Sequence, residues 1–146
     1  MDFVEWVDGR AHPVGWNTVG YDDAAWGSPG VIGPAGTAPF TRTFVQRTDF
    51  DEHVIAPVSV RMLPTGSIVA DFGKVYPARL AVRFTQGESG RAIPMHVGFL
   101  LDPDGQVSTV HGTQETNLSF SYIMRDGDQT FEALAYLCLL YTSRCV

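Results

Sequence analysis

Leu80-Ala81-Val82-Arg83-Phe84-Thr85, Ile93-Pro94-Met95-His96-Val97-Gly98-Phe99 and Leu118-Ser119-Phe120-Ser121-Tyr122-Ile123-Met124 all lie within residues 66–136, and in each run an apolar side chain returns at every second position. A period of two puts Leu80, Val82 and Phe84 on one face, with Arg79, Ala81, Arg83 and Thr85 on the other; a helix would scatter them around its circumference. Half-buried strands are therefore expected. Residues 58–63 repeat the alternation, with Val58, Val60 and Met62 on one side. Between the runs stand Pro64-Thr65-Gly66, Gly87-Glu88-Ser89-Gly90, Asp102-Pro103-Asp104-Gly105 and Arg125-Asp126-Gly127-Asp128. In such clusters glycine supplies positive φ and aspartate bonds the backbone locally. Strands separated by turns at this spacing predict an all-β chain folded as an antiparallel meander or sandwich.

The stretch also carries a resemblance. Gly66-Ser67-Ile68-Val69-Ala70-Asp71-Phe72-Gly73-Lys74 looks like the strand-and-turn signature of the β-sandwich that precedes the catalytic domain in bacterial α-L-rhamnosidases. Leu100-Leu101-Asp102-Pro103-Asp104-Gly105, His111-Gly112-Thr113-Gln114, Leu118-Ser119-Phe120 and Gln129-Thr130-Phe131-Glu132 follow in that family's order and approximate spacing. Upstream, Gly20-Tyr21-Asp22-Asp23-Ala24-Ala25-Trp26 resembles a motif at the end of the family's N-terminal jelly roll. The similarity covers roughly residues 16–137. It implies a jelly-roll or concanavalin-like β-sandwich, preceded by the remnant of another jelly roll. It also implies a parent enzyme that is an inverting glycosidase acting on rhamnosides. In that family the catalytic acids belong to an (α/α)6 barrel further along the chain, so the resemblance assigns no catalytic residue to these 146 positions.

Length and composition bound the rest. A chain of 146 residues, 45% hydrophobic and 18% charged, has room for about one domain with a real core. Nine Phe, five Tyr and three Trp can fill its interior. Sixteen acidic against ten basic residues give a net charge of -6, and no Lys/Arg cluster offsets it, which argues against nucleic acid as a partner. No run reaches the roughly 20 apolar residues of a membrane span, and Met1-Asp2-Phe3-Val4-Glu5 is not a basic start followed by an apolar stretch. Localisation stays open. Cys138 and Cys145 both lie near the end, too few and too close for a disulfide framework or a four-ligand metal site.

Along the chain, seven of the thirteen residues in 27–39 are Gly or Pro, a connector composition. The expected organisation is a jelly-roll remnant with linker over 1–39 and a β-sandwich over 40–137. Phe3, Trp6 and Val7 suggest a short strand in the first part, and residues 40–44 begin the second. Residues 138–146 depart from the family pattern, resemble translated adaptor read-through and are expected to be non-native.

Candidate chemistry is weighed against plain structural roles. Glycoside hydrolysis generally uses two facing carboxyl groups. Asp71, Glu88, Asp102, Asp104, Glu115, Asp126, Asp128 and Glu132 are available, but most occupy turns or solvent-facing strand positions where Asp caps and bends the backbone. Asp102-Pro103-Asp104-Gly105 has oxygen ligands at alternate positions, as a calcium loop does. It lacks the later ligands, and its Pro and Gly sit where a type I turn wants them, so no metal is assigned. His12, His53, His96 and His111 share no metal or general-base spacing; His96 is expected to face outward or bond within the sheet. His111 and Gln114 open a polar loop able to touch a sugar hydroxyl, although most such loops are merely solvated. Trp6, Trp16 and Trp26 could stack on a pyranose, but Trp26 is expected to anchor the chain by burial. Ser89, Ser119 and Ser121 have no Gly-x-Ser-x-Gly elbow. No cofactor and no substrate-binding residue is assigned. The alternatives are a free-standing carbohydrate-binding module, expected to present an exposed aromatic platform or an ordered calcium loop, and a protein-interaction sandwich with an exposed apolar face.

Overall fold

The structure, a computed structural model, describes residues 5–39, 41–42, 51–108, 110–111, 114–115 and 118–134, the hairpin residues 110–111 and 114–115 by their backbone alone. Phe3, the strand expected over 40–44, the centre of the polar loop, both cysteines and the 138–146 tail lie outside these residues or only partly within them. Every regular element among the described residues is a strand, and no helix occurs there. The strands are β1 (Glu5–Asp8), β2 (Ser59–Met62), β3 (Ile68–Asp71), β4 (Ala81–Gly87), β5 (Ala92–His96), β6 (Val110–His111), β7 (Gln114–Glu115), β8 (Ser119–Ile123) and β9 (Gly127–Glu132).

Contacts divide the chain into one unit of Met1–His12 with Ile55–Val146 and another of Pro13–Val54. The first holds every strand among the described residues. Its three-stranded sheet runs β1-β8-β5, and separate antiparallel pairs join β2 to β3, β4 to β9 and β6 to β7. β5 meets β8 antiparallel, Ile93 opposite Tyr122 and Met95 opposite Phe120. β1 lies parallel on the other side of β8, from Glu5 opposite Phe120 to Asp8 opposite Ile123. The short N-terminal strand that Trp6 and Val7 suggest thus forms, and it pairs with the C-terminal region rather than within residues 1–39.

Alternation explains which side chains go inside. Phe120, Tyr122 and Met124 from the β8 segment are buried together with Phe131 and Ala133 from the β9 segment, and Val7, Leu80, Phe84, Ile93, Met95, Val97 and Leu118 pack around them. The ring of Phe84 on β4 stacks on Tyr122 of β8, centroids 5.7 Å apart at 8°. Phe131 on β9 meets Tyr122 at 5.2 Å and Phe120 edge-on at 6.2 Å. The β4–β9 pair and the three-stranded sheet therefore share one aromatic core. Each buried aromatic removes roughly 150–250 Å² from water, and paired rings add about 0.5–1.5 kcal/mol beyond that burial.

The expected turns form. Gly66, at φ +85°, closes the β2–β3 hairpin by donating to the Leu63 carbonyl at 2.9 Å. Gly105 N–H reaches the Asp102 carbonyl at 2.8 Å, completing the Asp102-Pro103-Asp104-Gly105 turn. Between Phe84 and Gly87 the β4–β9 register slips, and Gln86 takes φ +56° as the extra residue is bulged out.

One face departs from expectation. Val58, Val60 and Met62 do share a side, but that side is exposed at 71%, 60% and 74%, because it is the opposite face that presents the buried Val69.

The second unit, Pro13–Val54, contains no strand among its described residues. It is a succession of hydrogen-bonded turns, Thr18 to Gly15, Tyr21 to Thr18, Trp26 to Asp23 and Thr37 to Pro34. Seven Gly and Pro residues between 27 and 39 account for the lack of regular pairing there.

Candidate functional site

The carboxylates are the first candidates, and most of those described are already engaged. Asp71 ends β3 and accepts the Gly73 N–H at 2.7 Å. Asp104 accepts the Gln106 N–H at 3.0 Å and its side-chain amide at 2.9 Å. Those two contacts, the backbone one first, hold the Asp104 carboxyl below its ordinary value. Asp126 reaches across to the Ser89 N–H at 2.9 Å, and Asp128 to the Gln86 N–H at 3.1 Å, so the turn before β9 pins the 87–90 turn and the start of β9 pins the β4 bulge. Glu132 pairs with Arg79 at 2.9 Å, and Asp128 stands 4.0 Å from Arg83. Glu88 and Asp102 enter turns through their carbonyls, which accept from Arg91 and Gly105. The side chain of Glu115 lies outside the description.

Sequence reasoning did not single out Asp8, which lies at the end of β1. Arg10 grips its carboxylate through Nε at 2.9 Å and Nη2 at 2.7 Å and also donates its backbone N–H at 3.0 Å. The side-chain hydrogen bond is the largest cause drawing the Asp8 carboxyl below its usual range. Arg10 is raised in return.

The most connected polar group was also missed. Gln129 is buried on β9, its Oε1 accepting from the Tyr122 hydroxyl at 3.0 Å and the Arg125 N–H at 2.9 Å. Its Nε2 donates to the Arg125 carbonyl at 2.6 Å and the Gly127 carbonyl at 3.0 Å. All the amide's capacity is consumed inside the fold, which makes it a structural clamp rather than a ligand donor. A signal existed in its register: Gln129 occupies the inward position two residues before Phe131 and four before Ala133.

The histidines remain apart. His96 is exposed and its Nδ1 lies 2.9 Å from the Ser119 hydroxyl across the β5–β8 pairing, so it both faces outward and bonds within the sheet. His53 meets Asp51 at 3.2 Å on the surface of the other unit. His111 and Gln114 are backbone partners in the β6–β7 hairpin. No group of three or more His, Cys, Asp or Glu among the described residues is arranged to hold a metal ion.

Aromatic candidates do reach the surface. Trp6, Trp16 and Trp26 are 62%, 46% and 51% exposed. Trp26 therefore does not anchor by burial. The tight turn that bonds its N–H to the Asp23 carbonyl holds its ring outward against Tyr21, centroids 5.5 Å apart at 51°. Asp22 caps the same turn by accepting the Ala24 N–H at 3.0 Å.

Comparison with protein-family models, curated proteins and solved structures finds no match to this chain.

Proposed function

We propose that this chain is the non-catalytic β-sandwich portion of an α-L-rhamnosidase-like glycoside hydrolase, and that it scaffolds an (α/α)6 barrel that releases terminal L-rhamnose. The carrying observation is what the carboxylates do: Asp71, Asp104, Asp126 and Asp128 hold backbone N–H groups, and Glu132 holds Arg79. An inverting glycosidase keeps an acid and a base about 6.5–9.5 Å apart with a water between them. Acids spent on turn geometry serve neither role. The shared core of the β1-β8-β5 sheet and the β4–β9 pair is what two stacked layers of a jelly-roll or concanavalin-like sandwich require. The ordered motifs between residues 66 and 132 point to the family.

Two measurements test this. The purified 146-residue chain should release no aglycone from an aryl α-L-rhamnoside; turnover removable by substitution of its own acids places the chemistry here after all. The coding sequence downstream should encode the barrel, and the extended protein should cleave the same substrate. An extension encoding no barrel ends the rhamnosidase assignment.

A stand-alone carbohydrate-binding module is favoured by one observation, the outward-held Tyr21–Trp26 pair. It predicts quenching of tryptophan fluorescence by L-rhamnose or its oligosaccharides, abolished in Trp26→Ala. No quenching at millimolar sugar removes it.

A further inference from the structure

The β2–β3 hairpin presents an outer face built wholly of apolar residues. Val60 stands opposite Ala70 and Met62 opposite Ile68 in the antiparallel register, with Val58 and Phe72 continuing the face beyond the strand ends. Val58, Val60, Met62, Ile68 and Phe72 are exposed at 71%, 60%, 74%, 72% and 37%. The charged residues of the hairpin, Arg61 and Asp71, belong to the other face by alternation. There Arg61 donates to the Gly105 carbonyl at 3.2 Å and Val69 is buried. The hairpin is thus fixed to its own unit through one face, and no described residue of that unit covers the other.

We propose that this outer face is a homodimer interface, in which the β2–β3 hairpins of two copies pack face to face about a twofold axis. The proposal is independent of the rhamnosidase reading. Three properties select a second copy. The side chains expose on the order of 500 Å² per copy, so a symmetric pair hides roughly 1,000 Å², the lower end for a specific interface. The face has no charged or hydrogen-bonding side chain, so it can pair with itself without like-charge contact even though each copy carries -6. A sugar would find no polar side chain there to bind its hydroxyls. An interface this small predicts reversible, weak pairing. Because each copy is anionic, added salt should strengthen it by screening the net repulsion.

Sedimentation equilibrium of the full chain over about 5–500 μM tests this directly. The expected result is a monomer–dimer equilibrium that tightens with salt. Val60→Lys and Ile68→Lys should each raise the dissociation constant at least tenfold. Both positions are exposed, so circular dichroism, and the melting midpoint at concentrations where the wild type is monomeric, should stay unchanged. Glu88→Lys introduces the same lysine away from the hairpin, in the 87–90 turn, with a charge change of +2 against +1, and should leave dimerisation intact. A monomer at every concentration, open-ended aggregation, or a dimer that Val60→Lys and Ile68→Lys weaken no more than Glu88→Lys overturns the proposal.

Discussion

Gln129 ties four partners with one side chain: the Tyr122 hydroxyl, the Arg125 N–H and carbonyl, and the Gly127 carbonyl. Removing the amide strands those groups in a buried site, and each buried polar group left without a partner costs about 1–3 kcal/mol. Gln129→Ala should therefore destabilise by roughly 2–4 kcal/mol in urea titration, among the larger single-residue effects. A loss well under 1 kcal/mol would mean that water replaces the clamp. Gly9 is constrained from the same side. A Cβ there would fall against the Tyr122 hydroxyl and its ring, which are packed too rigidly to yield cheaply. Asp8 gives a pH signature. Its carboxyl titrates below the ordinary 3.8 because Arg10 binds the charged form, so the stability it adds is present above pH 3.8 and is lost as pH falls through the lowered value. Melting curves of the wild type and Asp8→Asn should differ near neutrality and converge in stronger acid. Of these three residues, sequence periodicity offers a hint only for Gln129. Gly9 and Asp8 acquire their roles from strands and side chains that tertiary folding brings together.

Among the elements, β8 was the most legible, since Phe120, Tyr122 and Met124 alternate without interruption and all three are buried. β5 was readable for the same reason, although its pairing stops at His96 and the expected alternation through Phe99 continues without a strand. Pro94 is tolerated there because β5 is the edge of its sheet. In β2 alternation identifies two faces but does not say which one meets the protein, and for β2 and β3 the apolar face is the outer one. The parallel docking of β1 on β8 had no local signature, because it joins segments at opposite ends of the chain. Turn spacing marks Asp104 and Asp126 as residues that shape backbone, but the cross-strand reach of Asp126 and Asp128 leaves no mark in spacing. Asp128 holds the bulged Gln86 N–H from the neighbouring strand. Asp128→Ala should cost no more than about 1 kcal/mol, while several-fold faster amide exchange is concentrated at Gln86. Exchange accelerated equally across β8 would mean that the bulge contact supports the whole core.

At the level of the molecule, one aromatic cluster unites strands that pair in separate sheets, while Asp71, Asp104, Asp126 and Asp128 hold backbone N–H groups and Glu132 pairs with Arg79. The Pro13–Val54 unit adds exposed turns and the outward Tyr21–Trp26 pair, features that composition alone could not orient. The proposed scaffold stands or falls with the contact between the β4–β9 pair and the β1-β8-β5 sheet. Nuclear Overhauser spectroscopy on the full chain reads that contact directly. Cross-peaks should link the Phe84 ring to Tyr122 and the Phe131 ring to both Tyr122 and Phe120, with strand-type carbon shifts through β4, β5, β8 and β9. Helical shifts in those segments, or an absence of cross-peaks between the β4–β9 and β8 rings, would contradict an all-β core shared by the two groups of strands.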